Sequence, residues 1–195
     1  MKGSFVDVDK LKDLPVLDKG YKYFPCIGGT RNYRCFVESV DLSRGDFLEK
    51  YDKVIPEVIR PVYSAGNILV KQDAQYAVPG FFIVSPKKRY KTIAELPDSL
   101  LCECADMISF IKENMLKLPE INDVFIYYDE NYKKPSFVHF WVLPVFKGFN
   151  VSVLDGSVWA YLESFEYCCV KDKIKCYNSY MKTLFAEKVT GKENE

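Results

Sequence analysis

The stretch PSFVHFWVLP, residues 135–144, decides the fold and contains His139, the only histidine of the 195-residue chain. It predicts a strand over 136–146, because apolar and aromatic side chains follow one another without a break. Successive side chains of a strand point to opposite faces of a sheet. On one face the pattern places Phe137, His139, Trp141 and Leu143, and on the other Val138, Phe140 and Val142. We expect the second face to carry a helix, which leaves His139 on the side away from that core.

The neighbouring segments predict further strands and two long helices. The runs GNILVK, AQYAV and GFFIVSP between 66 and 86 predict three short strands, and DVFIYY at 123–128 predicts another. Asp98 is a good N-cap for an amphipathic helix that reaches residue 117. Its predicted apolar face comprises Leu100, Leu101, Cys104, Met107, Ile108, Ile111, Met115 and Leu116. DKIKCYNSYMKTLFAEKV predicts a terminal amphipathic helix, and the tail TGKENE is expected to fray.

These elements predict an α+β fold, an antiparallel five-stranded sheet with a long packing helix and extensions at both ends. We expect one compact domain with a core at 63–146. Residues 1–62 would form an N-terminal extension, with a hairpin around Gly28-Gly29 and a helix kinked at Pro56, packed on that core. Residues 147–195 would form a C-terminal extension that ends in the terminal helix.

Composition limits the classes of function. Lys plus Arg and Asp plus Glu both number 27, so the formal net charge is zero and no overall field attracts nucleic acid or an anionic membrane. Hydrophobic residues make up 48% of the chain, which argues against disorder as the main state. No apolar run reaches the roughly 18–20 residues that a membrane span requires. We therefore expect a soluble, cytoplasmic protein.

The seven cysteines are expected to be reduced thiols that serve as small buried hydrophobes. A zinc site is the alternative. With one histidine and no Cys-x2-Cys pair, the common zinc patterns cannot be written, so we predict no metal and no cofactor.

GFFIVSPKKRY, the long helix after it and FVHFWVLP together resemble the histidine triad superfamily. Members of that family read LVIPK-x-H before the helix and His-x-His-x-His, followed by apolar residues and often Pro, at the end of the motif. The resemblance covers residues 63–146. It places the three histidines of the family on Phe137, His139 and Trp141, so only the middle one is kept.

The resemblance implies that His139 attacks the α-phosphorus of a nucleotide and forms a nucleotidyl-histidine intermediate. It also implies that nucleotide-binding residues flank the triad. Candidate phosphate contacts are Lys133, Lys134 and Ser136, together with Asp129 and Asn131 at the end of the preceding strand. Asp73 would hold the ribose, and Phe137 and Trp141 would stack on a base.

Several of these candidates also have a plain structural interpretation. Asp129 and Asn131 are common turn residues, and Phe137 and Trp141 are common core residues. The basic run Lys87-Lys88-Arg89 would approach a bound phosphate or belong to a solvated loop.

Two functions remain open from the sequence. The first is a hydrolase or nucleotidyl transferase that acts on a nucleotide or nucleotide conjugate through His139, with nucleic acid as a partner only through a capped or terminal nucleotide. The second is a catalytically inactive module of the same fold that binds a nucleotide or a protein, because two of the three histidine positions carry aromatic rings. The resemblance also leaves a homodimer open.

Overall fold

Five antiparallel strands form one sheet in a computed structural model that describes residues 61–73, 76–128, 137–152, 156–165 and 167–192. The strands are β1 (Pro61–Ala65), β2 (Ile68–Gln72), β3 (Phe82–Pro86), β4 (Ile121–Tyr128) and β5 (Phe140–Phe146). Their order across the sheet is β1-β2-β3-β5-β4, so β5 pairs with β3 on one side and β4 on the other. The helices are α1 (Asp98–Met115), α2 (Ser157–Glu163) and α3 (Tyr167–Lys192), with a short 3-10 turn at Ile93–Glu95. The predicted α+β fold is confirmed.

In β5 and the segment before it, buried and exposed side chains alternate as predicted. Val138, Phe140 and Val142 are buried in the main core. Phe137 remains 40% exposed, and His139 and Trp141 are half-buried. Two details differ from the prediction. The strand begins at Phe140, so His139 precedes it, and Leu143 is fully buried although it belongs to the His139 face.

The prediction of a strand at AQYAV is wrong for its described residues 76–78, which lie in a loop. Side chains and backbone of this loop bond to one another. The Gln72 amide donates to the Val78 carbonyl at 2.8 Å, and Asp73 Oδ1 accepts from the Tyr76 N–H at 2.8 Å. Such local bonds compete with a sheet ladder for backbone groups. The fifth strand is instead β1, which begins at Pro61, where the sequence pattern indicated the end of the preceding segment.

Helix α1 buries one apolar face against the sheet, as its spacing predicts. Its buried hydrophobic residues are Leu100, Cys104, Met107, Ile108, Ile111 and Met115. Two predictions at its ends need correction. Pro97 is the N-cap and Asp98 is the first helical residue, where its charge complements the helix dipole. Leu116 is the C-cap and is 43% exposed, because the helix ends before it can turn inward.

The C-terminal helices pack on the same core. In α3, Tyr177, Met181 and Phe185 are buried, and the Phe185 ring centroid lies 4.9 Å from that of Tyr63 in β1. The helix is longer than predicted, since it begins at Tyr167 and takes in the first three residues of the TGKENE tail. The hairpin and the helix predicted for residues 1–62 fall almost wholly outside the described residues, and the division into core and extensions stays a prediction.

In α2, the buried Tyr161 hydroxyl ties the helix to β5. It donates to the Pro144 carbonyl at 2.6 Å and accepts from the Phe146 N–H at 3.2 Å. Burial raises the pKa of this phenol. The two bonds satisfy backbone groups at the end of β5 that would otherwise be buried without a partner.

The four cysteines whose side chains the structure describes are less buried than predicted. Cys104 is buried, which raises its pKa to about 11, but Cys102, Cys169 and Cys176 are exposed. Within the described ranges, no helix has the length and apolar content that crossing a membrane requires.

Gly80 closes the loop between β2 and β3, and we predict that Gly80→Ala destabilises the protein strongly. Its φ is +77°, and an added Cβ would lie 2.6 Å from Tyr177 Cδ1 and even closer to Met115 Cε. We expect a loss of about 2–4 kcal/mol in the free energy of unfolding, since backbone strain adds to overpacking. Urea denaturation measures it.

Gly148→Ala is the matched control. Gly148 has a φ of +90° but no atom within 4 Å of an added Cβ, so only the backbone penalty of about 1 kcal/mol should appear. Equal losses in the two variants would show that the contacts with Met115 and Tyr177 do not constrain this loop.

Candidate functional site

His139 lies immediately before β5 with its ring orientation fixed by the backbone. Its Nδ1 is 2.6 Å from the carbonyl oxygen of Phe137. A carbonyl oxygen only accepts hydrogen bonds, so Nδ1 carries the proton in the neutral ring and the lone pair lies on Nε2. The imidazole also meets the Trp141 indole in a T-shaped contact, with ring centroids 4.4 Å apart and planes at 84°. The ring is thus held in one tautomer and one orientation.

Trp141 stands in a row of paired residues that crosses the sheet on the His139 face. It pairs with Tyr127 of β4 on one side and with Ile83 of β3 on the other, and Ile83 pairs in turn with Lys71 of β2. Directly paired residues point to the same face. We call these four half-buried residues, Lys71, Ile83, Trp141 and Tyr127, the cross-strand row.

The two ends of the cross-strand row are polar. Burial raises the pKa of Tyr127 to about 12, and within the described chain its buried hydroxyl has no hydrogen-bond partner. At the other end, burial lowers the pKa of the Lys71 ammonium, and the Asp73 carboxylate partly opposes this shift. The row therefore presents two apolar residues between a phenol and an amine.

Arg89 contacts the His139 segment through the ring of Phe137. Its guanidinium carbon lies 4.2 Å from the centroid of the Phe137 ring, a cation–π distance. The Val138 N–H donates to the Tyr90 carbonyl at 2.8 Å, which fixes the segment after the basic run beside the residues that precede β5. Of the three basic residues in this run, Arg89 is the one seen against the His139 segment.

Asp73 lies farther away on the same face. The strand register places its Cα about 16 Å from that of His139, with roughly 3.3 Å per residue along the strands and 4.8 Å between them. Direct contact between the two side chains is excluded at that separation. A ligand would have to bridge them, and the role of Asp73 at a ribose stays a prediction.

Five of the predicted phosphate contacts are outside the described residues: Asp129, Asn131, Lys133, Lys134 and Ser136. Among the residues that are described, no group of three or more His, Cys, Asp or Glu side chains could hold a metal ion.

Two solved structures share this arrangement of strands and helices. A Zn-bound histidine triad family protein from Mycobacterium smegmatis has a TM-score of 0.53 at 14% identity, over 73% of this chain and 96% of that one. A Hit-like protein involved in cell-cycle regulation from Bartonella henselae, crystallised with an unknown ligand, has a TM-score of 0.50 at 14% identity, over 74% and 97%. The chain has a histidine triad fold.

This assignment confirms the predicted resemblance at the level of the fold. No family model matches the sequence, and no curated protein matches it either. At 14% identity the likeness establishes architecture alone. The chemistry of this histidine triad fold therefore has to be argued from its own residues.

Sequence reasoning missed the cross-strand row. Lys71 interrupts the apolar run ILVKQ, and a charged residue inside a buried strand was a signal that could have marked it. Ile83 carried no such signal, because it meets Trp141 through the pairing of two strands that are distant in sequence, and a tyrosine such as Tyr127 is common in strands.

We predict that His139 is one tautomer in solution. At alkaline pH, where imidazole is neutral, long-range ¹H–¹⁵N NMR spectra should show a protonated Nδ1 and an unprotonated Nε2, because the Phe137 carbonyl accepts from Nδ1. His139 is the only histidine, so its signals need no assignment. Averaged shifts for the two nitrogens, as in the isolated amino acid, would contradict a fixed ring.

Proposed function

We propose that this protein is a nucleotide hydrolase or nucleotidyl transferase in which His139 is the nucleophile. The observation that carries the proposal is the contact between Nδ1 and the Phe137 carbonyl at 2.6 Å. A histidine nucleophile needs its lone pair on the attacking nitrogen, and this contact favours that state at Nε2 before substrate binds. Preorganisation of this kind reduces the entropy that must be lost on reaching the transition state.

The reaction has two displacements. Nε2 attacks the phosphorus of a nucleotide phosphoanhydride, phosphoester or phosphoramidate, and the bond from phosphorus to the leaving group breaks. The leaving group takes up a proton as it departs. Water or another acceptor then attacks the nucleotidyl-histidine, loses a proton and returns His139 to its starting state. Each step is easier than one direct transfer.

Arg89 supports binding of the transferred phosphate in this proposal. A guanidinium forms two parallel hydrogen bonds to phosphate oxygens, and stacking on Phe137 holds its plane in place. Lys133, Lys134 and Ser136 precede Phe137 by one to four residues and would add donors, with Asp129 and Asn131 near the end of β4 as further contacts.

The first test is replacement of His139 by Ala and by Asn. Both variants should lose about 1000-fold or more in turnover, and neither should become covalently labelled by a nucleotide radiolabelled at the α-phosphate. Asn serves as the conservative control, because its side-chain amide can still donate to the Phe137 carbonyl. Unchanged hydrolysis in both variants would remove His139 from the mechanism.

The second test is Arg89→Gln. We expect kcat/KM to fall about 10- to 100-fold, since one charged donor to the transferred phosphate is lost, and Arg89→Lys should recover part of it. Lys91→Gln is the matched control, an equal charge change two residues along at an exposed position. Equal effects of Arg89→Gln and Lys91→Gln would point to general electrostatics instead of a phosphate contact.

A second candidate function is a nucleotide- or protein-binding module without catalysis. The observation that favours it is the pair of aromatic residues beside His139. Phe137 donates no hydrogen bond through its side chain and Trp141 donates only its indole N–H, so donors to the phosphates are fewer than in a full triad. Wild-type protein that binds nucleotide but shows neither turnover nor acid-labile labelling would establish the module.

A further inference from the structure

Lys71 is a buried cationic group that the proposed phosphate chemistry does not use. It lies in β2 among strand residues that are otherwise uncharged, and its side chain is half-buried on the His139 face. Among the described residues, the Asp73 carboxylate is the charged group that acts on its ammonium. Burial of the charged form is unfavourable and lowers the pKa of Lys71, and the Asp73 carboxylate offsets only part of that effect. A ligand with exposed acceptor atoms would relieve that penalty.

The distance from His139 indicates which part of a nucleotide would meet Lys71. The register places the two Cα atoms about 12 Å apart, from two residues along the strand and two strands across the sheet. The transferred phosphate must lie at His139 Nε2, so Lys71 is placed for the distal part of the molecule. Ile83 and Trp141 lie between them and offer an apolar surface on which a planar base can rest.

Resting on the proposed function, the geometry points to Lys71 as the residue that selects the base, and to a guanine nucleotide as the substrate class. An ammonium has three donors and no acceptor. Guanine presents two adjacent acceptors, O6 and N7, to such a group. Adenine presents N7 beside an amino donor, which would face the ammonium with like polarity.

The experiment compares binding of GMP and AMP by calorimetry, and turnover of the guanosine and adenosine 5′-phosphoramidates. It uses the full chain as wild type, Lys71→Met and Lys71→Gln. Wild-type protein should prefer the guanine compounds about 10-fold or more in both assays, and both variants should reduce the preference to about 3-fold or less. Both Lys71 variants keep an unbranched stem that is one atom shorter and remove the charge, so a change confined to base preference is not a general loss of structure.

Lys112→Met is the matched control. Lys112 is half-buried in the last turn of α1, away from the cross-strand row, and its replacement should leave the ratio of GMP to AMP affinity unchanged.

The outcomes separate this inference from the proposed function. Equal affinity for GMP and AMP in the wild type, or a guanine preference that survives in both Lys71 variants, overturns the role of Lys71. If His139-dependent turnover is still present in that case, the proposed function stands without a role for Lys71. Absence of any nucleotide binding and any turnover overturns both. A guanine preference that disappears with Lys71 and persists with Lys112→Met supports the inference.

Discussion

The pairing of Trp141 with Ile83 on one side and Tyr127 on the other fixes the site. Side chains alternate along a strand, so a slip of one residue in β5 would turn the whole strand over. Val142, which is fully buried, would then face the His139 side, and Trp141 would have to enter the core beneath α1. Burial of the Val138, Phe140 and Val142 face opposes that slip. The packing of the helix-covered core thereby determines which side of the sheet His139 occupies.

The parts of this fold that could be predicted from sequence are those that depend on local periodicity. The apolar face of α1 and the alternation around His139 follow from spacings of three to four residues and of two. Residues 76–78 were predicted as strand and form a loop, because bonds made by Gln72 and Asp73 hold that segment in place and hydropathy does not show such bonds. The cross-strand row was hidden for a different reason. It depends on the pairing of β3 with β5, in which Ile83 meets Trp141, and a register between strands so distant in sequence is set by the packed sheet.

The candidate site was partly predictable in the same sense. His139 could be found because it is the only histidine and stands within a run of apolar strand residues. The contact between Arg89 and Phe137 could not, since it depends on how the segment after β3 returns to the segment before β5. That contact has a chemical consequence. Phe137 has no donor of its own, yet its ring holds a guanidinium at 4.2 Å. In the proposed mechanism, a position without a polar group of its own thus places a guanidinium where the transferred phosphate binds.

In the proposed mechanism, the tautomer of His139 explains how a single histidine acts as nucleophile, although the histidine triad superfamily that the sequence resembles has three. Nucleophilicity requires the lone pair at Nε2, and here a main-chain carbonyl, that of Phe137, favours this state. A backbone acceptor is present whatever side chain stands at 137 or 141. In the proposed mechanism, donation to phosphate oxygens is a separate task, and Arg89 performs it. The requirement for a nucleophile and the requirement for flanking donors are therefore physically independent, and loss of the outer histidines removes only the second.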